Sequence, residues 1–444
     1  MSVLSVGGVV TTTNPLCSAD ELIRYLSSSD ATWVICAPDC VEKIQEAVAH
    51  VTRVKGIFVM GNESVGGCTL FTKLIGDDGS AFPSDLKVNP KQDVAALLFS
   101  SGTTGPPKGV MLTHYNVIAS VHLQSVPGFL KFESGVDIIP AIIPFFHVAG
   151  LVGVLSLGLK QGIRLITLPK FEPETFLRTI QEYKATRILT VPPLVFFLAN
   201  HPLVDRYDLS SVSDIICGGA PTGPAIIKAV RKRLGQSNIP VREVFGMTEL
   251  SSLTTIVTTD EEFEIGSVGT LLPNTTAKVI DLETGKTLGV GKEGEICFRG
   301  PQVMKGYRNN IEETRKMISE DGWLRTGDIG FYNEKGHFYV VDRLKDLIKY
   351  KAYQVAPTEL ENLILSMPGV KEVAVIGLPH DEAGELPKAF VVPKSDNIKP
   401  EDVMKFVEGK VIPQKKLRGG VEFVDEIPKS ASGKILRRVL KARK

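Results

Sequence analysis

The chain has 444 residues, 43% of them apolar and 23% charged, an ordinary globular composition with length enough for more than one domain. Its 51 basic and 50 acidic residues balance to a formal charge of +1, which gives no support to a polyanion-binding surface and makes nucleic acid a poor candidate for the main partner. Six cysteines, at 17, 36, 40, 68, 217 and 297, form neither a C-x-x-C pair nor a zinc-spaced cluster, and they read as free thiols of a reducing compartment.

The opening "MSVLSVGGVVTTTNPL" lacks the basic region, apolar run and cleavage site of a secretory signal, and the C-terminal "KARK" is not a peroxisomal address. A cytoplasmic protein is expected, with a peroxisomal one possible only if the native chain extends beyond Lys444. From residue 93, short β-branched runs alternate with amphipathic helices: "VAALLFS", "IRLITL", "RILTV", "SDIICGG" and "VREVF". Between the second and third, Phe176, Leu177, Ile180 and Tyr183 share one helical face. Between the fourth and fifth, Pro224 opens a helix through Ile226, Ile227, Val230 and Leu234. This alternation predicts βαβ units around largely parallel, layered sheets, an α/β domain.

Residues 138–159, "IIPAIIPFFHVAGLVGVLSLGL", are long and apolar enough to span a bilayer. Two prolines, three glycines, a histidine and the absence of a flanking basic cluster favour a buried strand, turn and helix, so no transmembrane segment is expected.

After about residue 264 the texture turns to strands and turns, "TAKVIDLETGK", "GEICFRG" and "GHFYVVD", which predicts a β-rich subdomain. Beyond "DRLKDLIKYKAYQV" a compact α+β pattern follows. Leu360, Leu363, Ile364 and Met367 make a helical stripe, "KEVAVIGL", "KAFVV" and "GVEFV" are strands, and "PEDVMKFVEG" is a helix.

Six stretches carry chemistry. "SSGTTGPPKG" at 100–109 has the small residues, hydroxyls and lysine of a phosphate-binding loop, although not the Walker spacing; alone, a flexible turn is equally compatible. The others are "CGGAP" at 217–221, "FGMTE" at 245–249, "TGD" at 326–328, "DRLKDLIKYKAYQV" at 342–355 and "PKSASGK" at 428–434. Singly these read as turns and solvated charges.

Together and in this order they resemble the adenylate-forming superfamily, most closely its acyl-CoA synthetase, 4-coumarate–CoA ligase and luciferase branch. The resemblance implies a large N-terminal domain over residues 1–342 and a small mobile C-terminal domain over 343–444, with a hinge near Lys345. It also implies that part of the family's N-terminal domain is missing ahead of "GGVVTTTNPL". The implied activity is ATP- and Mg²⁺-dependent formation of an acyl-adenylate, then of a coenzyme A thioester, from a fatty or aryl carboxylic acid. A luciferase-like oxygenase sharing the first step, and a non-catalytic nucleotide-binding remnant, are the alternatives.

The same resemblance assigns residues. Ser100, Ser101, Gly102, Thr103, Thr104, Gly105 and Lys108 would hold the β- and γ-phosphates. Gly219 and Ala220 would flank the adenine and acyl sites. Phe245, Gly246 and Met247 would form the base-binding strand, Phe245 giving the base an aromatic face, with Thr248 on the α-phosphate and Glu249 on Mg²⁺. Asp328, beside Arg343, would accept from the ribose hydroxyls, and Lys434 would bridge carboxylate and α-phosphate. His147 would gate the acyl pocket, and Lys349 would replace Lys434 in the second step. Lys170 and Lys351 would meet coenzyme A phosphates, with Ala352 where relatives carry glycine on the thiol path. Two further departures, Ala149 after the histidine and Val244 for a glycine near the acyl pocket, bear on the substrate; the first favours an aliphatic acid.

Overall fold

The computed structural model describes every residue except 1, 77, 101–107, 236–238, 260–263, 265, 352, 396, 430–432 and 444. Near the N-terminus a parallel sheet of Trp33–Cys36, Gly56–Val59 and Thr69–Leu70 is covered on one face by the helices Ala19–Ser29 and Val41–Val48. The first helix starts at a capping box in which Ser18 and Glu21 satisfy each other's backbone N–H groups. Four of the six cysteines, 17, 36, 40 and 68, are buried in this small core, and all six are free thiols.

Two larger sheets each join parallel strands on one side to antiparallel strands on the other. In the first, Val10–Thr12 runs parallel to Val94–Ser100, which pairs antiparallel with Lys108–Thr113 and so with Gly306–Tyr307. In the second, Arg187–Thr190, Asp214–Gly218 and Val241–Met247 are parallel, and Ser252–Ile256 and Thr270–Leu271 continue antiparallel. The helices expected between these strands are Pro173–Tyr183 and Pro224–Arg233, each with proline in its first turn. Phe176, Leu177, Ile180, Ile227 and Val230 are fully buried as the periodicity requires, whereas Tyr183, at the end of its helix, is exposed. A buried ion network ties the second sheet together: Arg242, 2% exposed, donates from Nε to Asp214 Oδ1 at 3.1 Å and from Nη1 to the carbonyls of Phe129 and Val257.

The apolar stretch at 138–159 forms the strand Ile138–Ala141, then a π-helical segment Ala149–Ser156 that runs into the helix Leu157–Gln161. Among the described residues no helix is long and apolar enough to cross a membrane.

The β-rich texture after 264 is a five-stranded antiparallel sheet, Thr287–Leu288, Thr276–Ile280, Gly294–Arg299, Leu324–Tyr332 and Phe338–Arg343. The final sheet, Tyr353–Val355, Ile348–Tyr350, Gly384–Pro393, Val370–His380 and Val421–Phe423, shares its core with the helices Pro357–Leu365 and Pro400–Glu408. The expected terminal helix is short, Arg437–Lys441.

Candidate active site

A cleft of about 1100 Å³ opens between the second sheet, the β-rich sheet and the C-terminal segment. Its walls include Gly219, Ala220, Phe245, Asp328, Arg343 and Lys434, six residues that are scattered over more than two hundred positions of sequence. The cleft lies at the carboxyl ends of the parallel strands Asp214–Gly218 and Val241–Met247, where open α/β sheets place their ligands.

Local geometry explains the glycines. Gly219 has φ of +90°, and a Cβ on Gly246 would sit 2.0 Å from the carbonyl oxygen of Ser252, so only glycine lets the strands 241–247 and 252–256 turn back so tightly. Phe245, in the first of these strands, has its ring centre 5.8 Å from that of Phe298 and lines the cleft. Thr248 and Glu249 follow in the 3₁₀ turn Thr248–Leu250, and Met247 packs into the β-rich core.

Charge is concentrated opposite. Asp328 is 3% exposed, and burial raises its pKa against the opposing pull of Arg343, Lys434 and Lys345. Arg343 Nε lies 3.1 Å from Asp328 Oδ1, while Oδ2 is buried with no hydrogen-bond partner. Such an acceptor fits a hydroxyl donor, as the diol assignment requires. Burial pushes Lys434 down to about 8, Arg343 lowering it further while Asp328 and Glu249 pull it up. Lys345 is lowered too, first by burial and then by Arg343. Loss of water strengthens every one of these interactions.

His147 lies in the turn before the π-helical segment. Its N–H donates to Pro144 O at 3.0 Å, and Leu151 donates back to its carbonyl at 2.8 Å. The turn is tight enough that a Cβ on Gly150 would lie 2.1 Å from Pro144 O. His147 Nε2 is buried and unbonded, and burial followed by the charge of Lys434 lowers its pKa. A neutral imidazole is therefore held near the lysine.

Glu249, 6% exposed, accepts from Tyr307 Oη at 2.9 Å, and its charge is felt at Asp328, Lys345 and Lys434. Among the described residues no cluster of three or more acidic, His or Cys side chains is arranged for a metal ion. A single carboxylate suits Mg²⁺ nonetheless, because that ion takes most of its ligands from phosphate and water.

Ser100 and Lys108 face each other in register on the antiparallel strands Val94–Ser100 and Lys108–Thr113. Ser101, Gly102, Thr103, Thr104 and Gly105 lie outside the described residues, as does Ala352. Three lysines stand away from the cleft lining. Lys349 is exposed, and its backbone N–H donates to Glu385 Oε2 at 2.8 Å; Lys351 lies over Tyr350; and Lys170 is paired with Glu172 at 2.9 Å on the surface.

Sequence reasoning missed three site residues. Glu243 is 5% exposed, lines the cleft, and accepts from Thr222 N–H at 2.7 Å, fixing the "GGAPT" turn. Tyr307 and Glu313 come in beside Lys108 from a strand and a helix two hundred residues away. A buried acid three residues before "GMTE" was visible as a charge inside an apolar strand; the other two had no signal.

Residues 1–308 match the model of the AMP-binding enzyme family and residues 359–434 that of the AMP-binding enzyme C-terminal domain. The chain is similar to 4-coumarate–CoA ligase 1 of Petroselinum crispum, 41% identical over 98% of this chain and 80% of that protein. It is equally similar to luciferin 4-monooxygenase of Luciola mingrelica, 41% identical over 99% of this chain and 81% of that one. The ATP-bound structure of MatB from Rhodopseudomonas palustris superposes with a TM-score of 0.89 at 30% identity, over 99% of this chain and 84% of that one. The ATP-free structure of the same protein gives 0.75.

Proposed function

The chain belongs to the AMP-binding enzyme family and is an adenylate-forming acid–CoA ligase, and from that premise we propose that its substrate is a fatty or aryl carboxylic acid, activated in the cleft around Lys434. The observation that carries the reading is the meeting of Asp328, with one oxygen unbonded, and Lys434, depressed to about 8, against the turn at Gly219 and Ala220.

In the first step a carboxylate oxygen attacks the α-phosphorus of ATP and the bond to the pyrophosphate oxygen breaks. Both reactants are anions, so the chain's task is charge neutralisation and alignment. Lys434 serves this as an ammonium between the two anions, Arg343 and Asp328 hold the ribose end, and Thr248 supports the α-phosphate. Glu249 would hold Mg²⁺, which neutralises phosphate charge when bound. Neutral His147 borders the acyl group without adding a second positive charge. In the second step the sulfur of coenzyme A attacks the acyl carbon and AMP leaves. We assign this step to a rotation of residues 343–444 about Lys345 that withdraws Lys434 and brings in Lys349. The greater likeness to the ATP-bound than to the ATP-free MatB structure supports an adenylation arrangement for the present one.

The test is pyrophosphate release with ATP, Mg²⁺ and a panel of fatty and aryl acids. Turnover should appear and should be largely lost in Lys434→Ala; wild-type turnover by that variant sinks the role of Lys434. A second reading, an oxygenase that shares the adenylation step, is favoured by the equal identity to a luciferin monooxygenase. Oxygen consumption or light from an adenylated substrate, without thioester formation, would establish it instead.

A further inference from the structure

Lys108 begins the strand Lys108–Thr113. The strand Gly306–Tyr307 runs antiparallel beside it, Tyr307 opposite Val110, and Arg308 N–H donates to Gly109 O at 2.8 Å. Asn310 then caps the helix Ile311–Met317 by accepting from Glu313 N–H at 3.1 Å. This path delivers two side chains to one ammonium. The Tyr307 ring centre lies 5.2 Å from Lys108 Nζ, and Glu313 Oε2 forms an ion pair with it. The other oxygen of Glu313 is paired with Lys316 Nζ at 2.8 Å.

We propose that Glu313 is the resident counter-ion of Lys108 and sets the affinity of the site for the phosphates of the nucleotide, which must take the ammonium from it. The inference rests on the assignment of Lys108 to those phosphates. Phosphate oxygens that reach Lys108 either displace the carboxylate or lie beside it as a like charge, and each alternative weakens binding. Lys108 and Glu313 side chains are 28% and 31% exposed, so water partly screens the pair. A pair of that exposure is worth a factor of about 1.4 to 5 in an equilibrium constant. The two neighbours of Lys108 divide the work: the Tyr307 ring attracts the ammonium without competing for its hydrogens, while Glu313 competes for them directly. Glu313 is therefore the residue whose removal strengthens nucleotide binding.

The experiment is calorimetric titration of the full chain with MgATP, without acid or coenzyme A, for the wild type, Glu313→Gln, Lys108→Ala and the double variant. Glu313→Gln should tighten ATP binding by about two- to fivefold, more at low salt than at high. In steady-state assays its effect should fall on the KM for ATP rather than on kcat. Lys108→Ala should weaken binding, and in its background Glu313→Gln should tighten it less than in the wild type, because no ammonium remains to be contested. Unchanged or weaker ATP binding by Glu313→Gln overturns the proposal, as does equal tightening in both backgrounds. Should no acid be turned over while the titrations behave as expected, the ligase reading fails and this inference stands. Turnover with an ATP affinity indifferent to residue 313 rejects this inference alone.

Discussion

Arg343 and Asp328 stand opposite each other on the adjacent strands Phe338–Arg343 and Leu324–Tyr332, and their contact at 3.1 Å uses one carboxylate oxygen while burying the other without a partner. A buried acceptor left open in the protein alone is a place where a ligand donor replaces lost water. Replacing Asp328 with Asn keeps the shape and removes the charge. The KM for ATP should then rise by about ten- to a hundredfold, as for the loss of hydrogen bonds to a charged group. An unchanged KM would remove Asp328 from the nucleotide site.

The pH dependence of adenylation follows from Lys434. Its pKa is pushed down to about 8, chiefly by burial, so it carries its charge below that value and loses it above. The ammonium is the form that bridges two anions. ATP–pyrophosphate exchange should therefore fall as pH rises through about 8, well before an ordinary lysine would titrate. In Lys434→Arg any remaining rate should lack this descending limb, because arginine keeps its charge. A limb that persists at the same pH in the variant would belong to another group.

Asp214 is wholly buried and answers both Arg242 and Arg187. Asp214→Ala would leave a buried guanidinium uncompensated in the centre of the second sheet. A loss of about 3–5 kcal/mol is expected, measured as a lowered urea midpoint. A change below about 1 kcal/mol would mean that the carbonyls of Phe129 and Val257 suffice to hold Arg242.

Val244 Cγ2 lies 2.6 Å from where a Cβ on Gly218 would sit, so the valine lies across the glycine at the wall of the cleft, and it packs on the core that contains Val148 and Val152. Val244→Gly should open this wall. The ratio of kcat/KM for a hydroxycinnamate to that for a medium-chain fatty acid should then rise by about tenfold or more, the scale set by a few methyl-sized contacts. Because a ratio is measured, loss of folded enzyme cancels. A ratio that stays where it was would place the acyl group elsewhere.

Much of this architecture is legible in the chain itself. The alternation of "VAALLFS", "IRLITL", "RILTV", "SDIICGG" and "VREVF" with amphipathic helices fixes strands and buried faces, since a side chain's burial follows the local period of 2 or 3.6. Gly246 and Gly219 are decided locally as well, by a turn that leaves no space for a Cβ or needs positive φ. Tertiary structure decided what depends on partners remote in sequence. A lysine in "SGK" looks solvated until burial, with Arg343 beside it, lowers its pKa against the pull of Asp328 and Glu249, and desolvation is a property of the assembled cleft rather than of any segment. Tyr183 satisfies the helical period yet is exposed, because the buried arc ends where the neighbouring elements do. Glu313 reaches Lys108 across 205 positions only because strand register sets Gly306–Tyr307 against Lys108–Thr113. Pairing of that kind is a non-local choice, made by which sheet edge remains open, and no periodicity in either segment encodes it.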